Sequence, residues 1–363
     1  VSSRRPWSIS RETCLKSSVP EKGMPRRWND SDCLRRVGPG LGGSALLAVL
    51  AVAAQAGAGP VANPVSLAPS QSTTGDIELL GSLELVSRAP DGRRLDGLSG
   101  LAWDADEQLL YAVSDYGILH HLKPRFDDGR LAGVDHVAGF SLRDRQGRPL
   151  RGAARDAEGL VLSGGKDGAR GNSELHISFE REPRVARYAP DGRFLEGVQL
   201  PDALEDVGSY ASPNQGLEAL AIHPVYGYLM LPEASLANDP PGRISLFGAG
   251  ERRWPYHPAN SPASSPTALE ALPGGNLLAL ERAFLSVFWP LVISLRVVDL
   301  DSGDEPGIRT LVTLSTGQGW KLDNFEGLAL HEEDRFFMVS DNNGSPRQRT
   351  LLVYFRLPGV SPP

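Results

Sequence analysis

Five stretches of this chain repeat one pattern. Ser99-Gly100-Leu101, Glu158-Gly159-Leu160, Glu218-Ala219-Leu220, Glu270-Ala271-Leu272 and Glu326-Gly327-Leu328 each place Gly or Ala after the marked position and Leu after that. Each leads to an apolar run that closes on an acid: Asp115, Glu180, Glu233, Glu281 and Asp341. The openers are spaced by 59, 60, 52 and 56 residues. A regular period of this kind marks a repeated supersecondary unit that needs its neighbours to bury an apolar face. The last copy shows the unit's type. Phe325, Leu328 and Leu330 meet a charged turn at His331 to Arg335, a second apolar run covers Phe336 to Val339, and Ser340 to Gly344 is a cluster of turn formers. That is a β-hairpin.

Repeated hairpins of this length predict an all-β protein, a β-propeller of five blades. Innermost strands converge on a central channel, where Gly or Ala fits the crowding and the adjacent Leu reaches the apolar layer between blades. An ordinary β-sandwich also alternates apolar residues with Gly-rich turns, but gives no reason for a recurring acid–small–Leu signature. A degenerate sixth blade in residues 234–266, rich in Pro, Ser and Asn, is the main rival. Ile77 to Val86 reads as a strand that completes the last blade beside Leu351 to Phe355 and ties the ring shut. Ala89-Pro-Asp-Gly-Arg93 and Ala189-Pro-Asp-Gly-Arg193 carry a strong hairpin-turn signal. Phe284 to Val298 is apolar but interrupted by Pro290 and Arg296, and reads as a buried strand with an odd loop. The chain is long enough for two average domains, but blades stack into one unit, expected over residues 76–358.

The first 56 residues are of another kind. Arg26-Arg27 and Arg35-Arg36 precede an apolar run from Ser44 to Ala54, and Ala54-Gln55-Ala56 has the form of a cleavage site. This is the order of a secretory signal, with Met24 as its natural start, and the run is well under the ~20 residues that span a bilayer. Export to the periplasm or medium is expected, with residues 57–75 as a flexible tether. Both cysteines, Cys14 and Cys33, lie in the leader, so the exported part offers no thiolate or disulfide. The leader holds 9 basic and 4 acidic residues of the chain's 37 and 44, which leaves 28 against 40, a net of −12. Such a surface disfavours nucleic acid and suits cations or a neutral partner.

Chemistry is expected where the acids meet. Glu158, Glu218, Glu270 and Glu326 hold equivalent places, so a ring brings them toward one axis. Two carboxylates ~4 Å apart repel by roughly 4 kcal/mol at an effective dielectric near 20. A narrow, dry mouth therefore calls for a cation, and an all-oxygen donor set favours calcium or magnesium over zinc. Equally, each Glu can simply accept hydrogen bonds from backbone amides of the neighbouring blade. The adjacent pair Glu281-Arg282 can orient a carboxylate or clamp an anion, or form a plain ion pair. The seven histidines are scattered, and no nucleophile elbow or phosphate loop is present.

Asp156-Ala-Glu-Gly-Leu160, Gly216-Leu-Glu-Ala-Leu-Ala221, Leu280-Glu-Arg282 and Asn324-Phe-Glu-Gly-Leu-Ala329 together resemble the phytase-like family, also labelled "esterase-like activity of phytase", a group of exported bacterial β-propellers. The resemblance covers most of residues 95–357. It implies hydrolysis of phosphate or carboxyl esters. By analogy with calcium-dependent propeller phytases, it puts Glu158, Glu218, Glu270 and Glu326 on calcium with Arg282 as an anion contact; the adjacent Glu281 and Arg282 are the expected catalytic pair. The expected partner is a small anionic ester or another small molecule, and the expected state a monomer. The alternative is a non-catalytic propeller that binds a ligand or protein on its face. The sequence departs from the pattern at Ser99, which stands where an acid is expected, and in the apolar segment Ala283 to Pro290.

Overall fold

A computed structural model describes residues 59–69, 76–240, 242–259, 261, 263–303 and 305–360. The expected signal sequence and cleavage site, and both cysteines, lie outside these residues. All the described residues belong to one compact unit.

In chain order, β1 (Gly59–Pro60), β2 (Ala62–Pro64) and β3 (Glu78–Leu85) come first. Blade 1 follows with β4 (Leu98–Asp104), β5 (Leu109–Ser114), β6 (Ile118–Asp127) and β7 (Arg130–Ser141), and blade 2 with β8 (Ala157–Ser163), β9 (Glu174–Phe179), β10 (Arg184–Tyr188) and β11 (Phe194–Val198). Blade 3 holds β12 (Leu217–His223), β13 (Gly227–Pro232), β14 (Ile244–Gly248) and β15 (Arg253–Tyr256), and blade 4 β16 (Ser264–Ala271), β17 (Leu277–Ala283), β18 (Val292–Asp299) and β19 (Gly307–Ser315). Blade 5 is made by β20 (Asn324–Glu332), β21 (Arg335–Asp341), β22 (Leu351–Arg356) and, returning from the start of the chain, β3.

Within each blade the strands are antiparallel neighbours. The first strands, β4, β8, β12, β16 and β20, touch one another in a closed cycle and surround the axis. The fold is thus a five-bladed β-propeller. β3 pairs with β22 from Glu78↔Arg356 to Glu84↔Leu351, which closes the ring. No sixth blade forms among the described residues: 244–256 supply the outer strands of blade 3, and 264–271 open blade 4.

Two expectations change. Residues 59–64, expected in a tether, add β1 to the edge of blade 1 and β2 to the edge of blade 5. Val61 and Leu67 are buried there, which anchors them. Phe284 to Val298 divides in two: β18 is buried, whereas Phe284 to Pro290 is an exposed loop.

Each of the five motif leucines lies in a different apolar cluster, and so between a different pair of blades. In blade 4 that residue is Leu269. Sealing a blade joint with a fully buried ring such as Phe325 or Phe336 contributes about 1.5–3 kcal/mol each. The small residue beside each Leu is forced by crowding. A Cβ on Gly100 would lie 2.4 Å from the Glu158 carbonyl oxygen, and one on Gly159 would lie 2.7 Å from that of Glu218.

Candidate functional site

Every innermost strand carries a β-bulge one to three residues inside its start. Leu98 pairs with Ser114 but Gly100 with Val113, leaving Ser99 as the extra residue. The same slip isolates Glu218, Thr267 and Glu326, and in blade 2 it falls across Glu158 and Gly159. A bulge re-aims the side chain of its extra residue. Here it puts Ser99, Glu158, Glu218 and Glu326 on the wall of a cup at one end of the axis. The blade 4 equivalent is Thr267, whose hydroxyl is spent on the carbonyls of Leu280 and Phe325.

Glu270 therefore does not join the ring. It sits three residues further along β16, about 10 Å away at strand rise, and pairs with Leu278. Its carboxyl accepts a backbone bond from Leu330 of the next blade, and burial pushes it up to about 8. For Glu270 the reading as an inter-blade acceptor is the correct one.

A second tier comes from the residue that closes each second strand. Asp115, Glu180, Glu233 and Asp341 lie opposite Gly97, Asp156, Gly216 and Asn324, and all four line the cup. In blade 4 that register, Ser265↔Arg282, delivers Arg282, and the neighbouring Glu281 faces the other way. Glu281 is fully buried outside the cup. It accepts from Tyr256 Oη at 2.5 Å, the Ala259 amide at 2.7 Å, Ser264 Oγ at 2.8 Å and Arg296 at 2.6 Å. With its acceptor sites filled by the fold, it is not free to act as a catalytic acid. Arg282 does reach the cup, donating to Glu233 at 2.7 Å, to Glu326 at 2.8 Å and to Asn324.

The cup, of about 220 Å³, is lined by eight carboxyl groups and two arginines, with Ser99, Asn214 and Asn343 between them. Arg181 pairs with Asp156 at 2.8 Å, and Arg282 bridges Glu233 and Glu326. The remaining acids repel. Burial first, and then Glu218, Glu326 and Glu180, hold the Glu158 carboxyl well above its ordinary range. Burial, Glu233 and Glu180 do the same to Glu218. Glu180 is pushed up to about 7 by burial, Asp156 and Glu233, against the pull of the Gly216 amide. Glu326 rises to about 8 through burial and Asp341, despite Arg282. On the far wall Asp115 rises to about 7 through burial and its neighbours Asp341 and Asp156, and its Oδ1 has no hydrogen-bond partner.

A cation fits this donor set. Carboxylate oxygens of Asp156, Glu158 and Glu180 lie within 4.8 Å of one another, and so do those of Glu180, Glu218 and Glu233. That is the span of two opposed calcium–oxygen bonds of ~2.4 Å. Glu158 and Glu218 are each 8% exposed, and their carboxylates make no hydrogen bond or ion pair among the described residues. Asp156, Glu180 and Glu233 join Glu158 and Glu218 in these two triads, Asp156 and Glu233 being also paired to Arg181 and Arg282, while Glu326 belongs to neither triad and is bound to Arg282 and Asn324.

Sequence spacing carries the signal that relocates blade 4. Ala219 to Glu233, Gly327 to Asp341 and Ala268 to Arg282 are all fourteen residues apart, whereas Ala271 to Glu281 is ten.

The family model described as "Phytase-like: Esterase-like activity of phytase" matches residues 61–344. No curated protein matches the sequence. Among solved structures, a gluconolactonase from Xanthomonas campestris is 14% identical with a TM-score of 0.37, covering 83% of this chain and 97% of that one. A luciferin-regenerating enzyme is 11% identical with a TM-score of 0.36, over 73% and 94%. U3-55K is 10% identical with a TM-score of 0.35, over 74% of this chain; the chain spans 62% of that structure's length. The matched residues run from β2 to the turn beyond Asp341, and take in every acid of the cup. The chain belongs to the phytase-like family.

Proposed function

We propose that the cup binds calcium and that the protein is a calcium-assisted hydrolase of small phosphate esters, acting after export. The observation that carries this reading is the pair Glu158 and Glu218, residues 8% exposed whose carboxylates line the cup with no hydrogen bond or ion pair among the described residues. An isolated buried carboxylate costs several kcal/mol as an ion unless it is paired or protonated. A divalent cation removes that cost for several carboxylates at once. The two triads, which share Glu180, offer carboxylate oxygens only, and such a set favours calcium over magnesium, which keeps most of its water.

When bound, such an ion polarises a phosphoryl oxygen and acidifies water. The chain's own residues supply the rest. Arg282 carries five N–H donors and uses three of them on Asn324, Glu326 and Glu233, leaving two for an anion entering the cup. Glu233 and Glu326 fix its guanidinium from both sides, so a phosphate meets a cation already positioned. Asn214 and Asn343 line the same cup.

Calorimetric titration tests the first half. Wild type is expected to bind calcium, and E158Q/E218Q to bind at least tenfold more weakly. Calcium at a hundredfold excess over Kd stabilises the fold by about 2.7 kcal/mol, which chelator should remove. Hydrolysis of an aryl phosphate, abolished by chelator and by R282M, tests the second half. Calcium binding with no hydrolysis of any ester leaves a ligand-binding propeller. No calcium binding at all overturns the proposal.

A further inference from the structure

The loop from Phe284 to Leu291 joins β17 to β18 and begins two residues after Arg282, so it stands at the same end of the propeller as the cup. It is built the wrong way round for a solvent loop. Phe284 and Leu285 are each 51% exposed, Trp289 57%, Val287 82% and Phe288 93%. No ionisable side chain occurs between Arg282 and Arg296. Its shape is fixed: the Trp289 amide donates to the Ser286 carbonyl at 3.0 Å, and Leu291 and Thr316 exchange two bonds of 3.0 Å. Behind it lies a cavity of about 220 Å³, lined by Ala283, Leu285, Trp289, Pro290 and Val292 with two serines.

A braced turn with an apolar tip, a tryptophan at its shoulder and no charge meets the requirements of an interfacial anchor. Aromatic rings of Trp favour the headgroup level, and aliphatic and Phe side chains the acyl boundary. We infer that this loop docks the protein on a lipid surface, with Val287 and Phe288 inserted and Trp289 at the headgroups. The surface is a neutral, zwitterionic one. The chain carries a net charge of −7 and the loop has no Lys or Arg to draw it to anionic lipid. A second copy of the chain is the poorer occupant. A stable protein interface takes about 800 Å² from each partner, whereas five side chains on a convex tip present on the order of 600 Å². The inference does not depend on the cup holding a metal.

The test reads the loop itself, so that any lipid affinity of the leader does not enter. The full chain is mixed with phosphatidylcholine vesicles containing brominated acyl chains, and tryptophan emission is followed. Wild type is expected to show a quenched component that W289F lacks. V287S/F288S, which keeps Trp289, should lose it while melting at the wild-type temperature. Wild-type quenching equal to that of W289F overturns the inference, as does full quenching in V287S/F288S. A dimer in lipid-free solution that V287S/F288S abolishes assigns the tip to a second copy, and overturns it as well.

Discussion

One residue step separates Glu281 from Arg282, and along a strand that step is a change of face. It decides which of the two belongs to the cup. Glu281 holds Tyr256, Ser264, the Ala259 amide and Arg296 together in a site without water access, so E281Q should cost about 3–5 kcal/mol in denaturant unfolding. Its calcium affinity should stay at the wild-type level. Arg282 has the opposite profile. R282M leaves Glu233 and Glu326 buried side by side without their cation, and the loss should grow with pH. The sign follows from the carboxyls. Asp341 at about 6, Asp115 and Glu180 at about 7 and Glu326 at about 8 all lie above their unfolded values near 4. Their contribution is complete below pH ~4 and is lost as pH rises through 6 to 8. Buried His120 at about 3 and His176 at about 4 act oppositely, with a contribution present above pH ~6.5 and lost below it. Thermal melts in chelator between pH 6.5 and 8.5 isolate the acids. The melting temperature should fall across that window, more steeply in R282M, and calcium should flatten the slope. Of these groups, Glu158, Glu218, Glu326 and Arg282 were legible in the sequence, and Asp115, Glu180, Glu233 and Asp341 as the acids that close each hairpin. Glu270 and Glu281 were misplaced because an acid before Ala-Leu looks like a repeat, and only the hairpin's length shows that Thr267 holds that place.

At the scale of the strand, the bulge is what converts a repeat into a site. It needs a residue without bulk directly after it, since the next innermost strand runs against that position. G100A should therefore destabilise the fold by about 1–3 kcal/mol through contact with the Glu158 backbone. Denaturant midpoints measure this. A G92A control, where a Cβ meets nothing but the residue's φ is +83°, separates steric contact from the cost of the turn geometry. The bulges were legible only through their consequence, the small residue, because register is a property of two strands. The loop after Arg282 was legible only as an odd, apolar loop, and not as an exposed one. Its turn runs through Ser286-Val-Phe-Trp289 with no Gly or Asn, so an apolar stretch with a bend in it reads as one buried element.

For the whole molecule, the five-part period gave the ring, and the strand at 77–86 was recognisable as its closure because blade 5 lacks a fourth strand of its own. The edge strands at 59–64 escaped notice, since two and three residues around Pro60 and Pro64 carry no alternation. Cleavage after Ala56 would leave those edge strands whole. N-terminal sequencing of protein recovered from the periplasm or medium should accordingly begin at Gly57. A start that retains Cys33 would contradict it. The β3–β22 seam also sets a schedule for folding. Its two strands lie at opposite ends of the sequence, so their contacts have about the longest separation the chain allows, the kind that slows folding most. A ribosome delivers β22 last, when four blades and β20–β21 are already out. Until then β3 lacks its partner in blade 5, and the nascent polypeptide cannot lock into its final topology. If export runs as proposed, a secretion channel that threads only unfolded chains would have the whole time of synthesis in which to engage it.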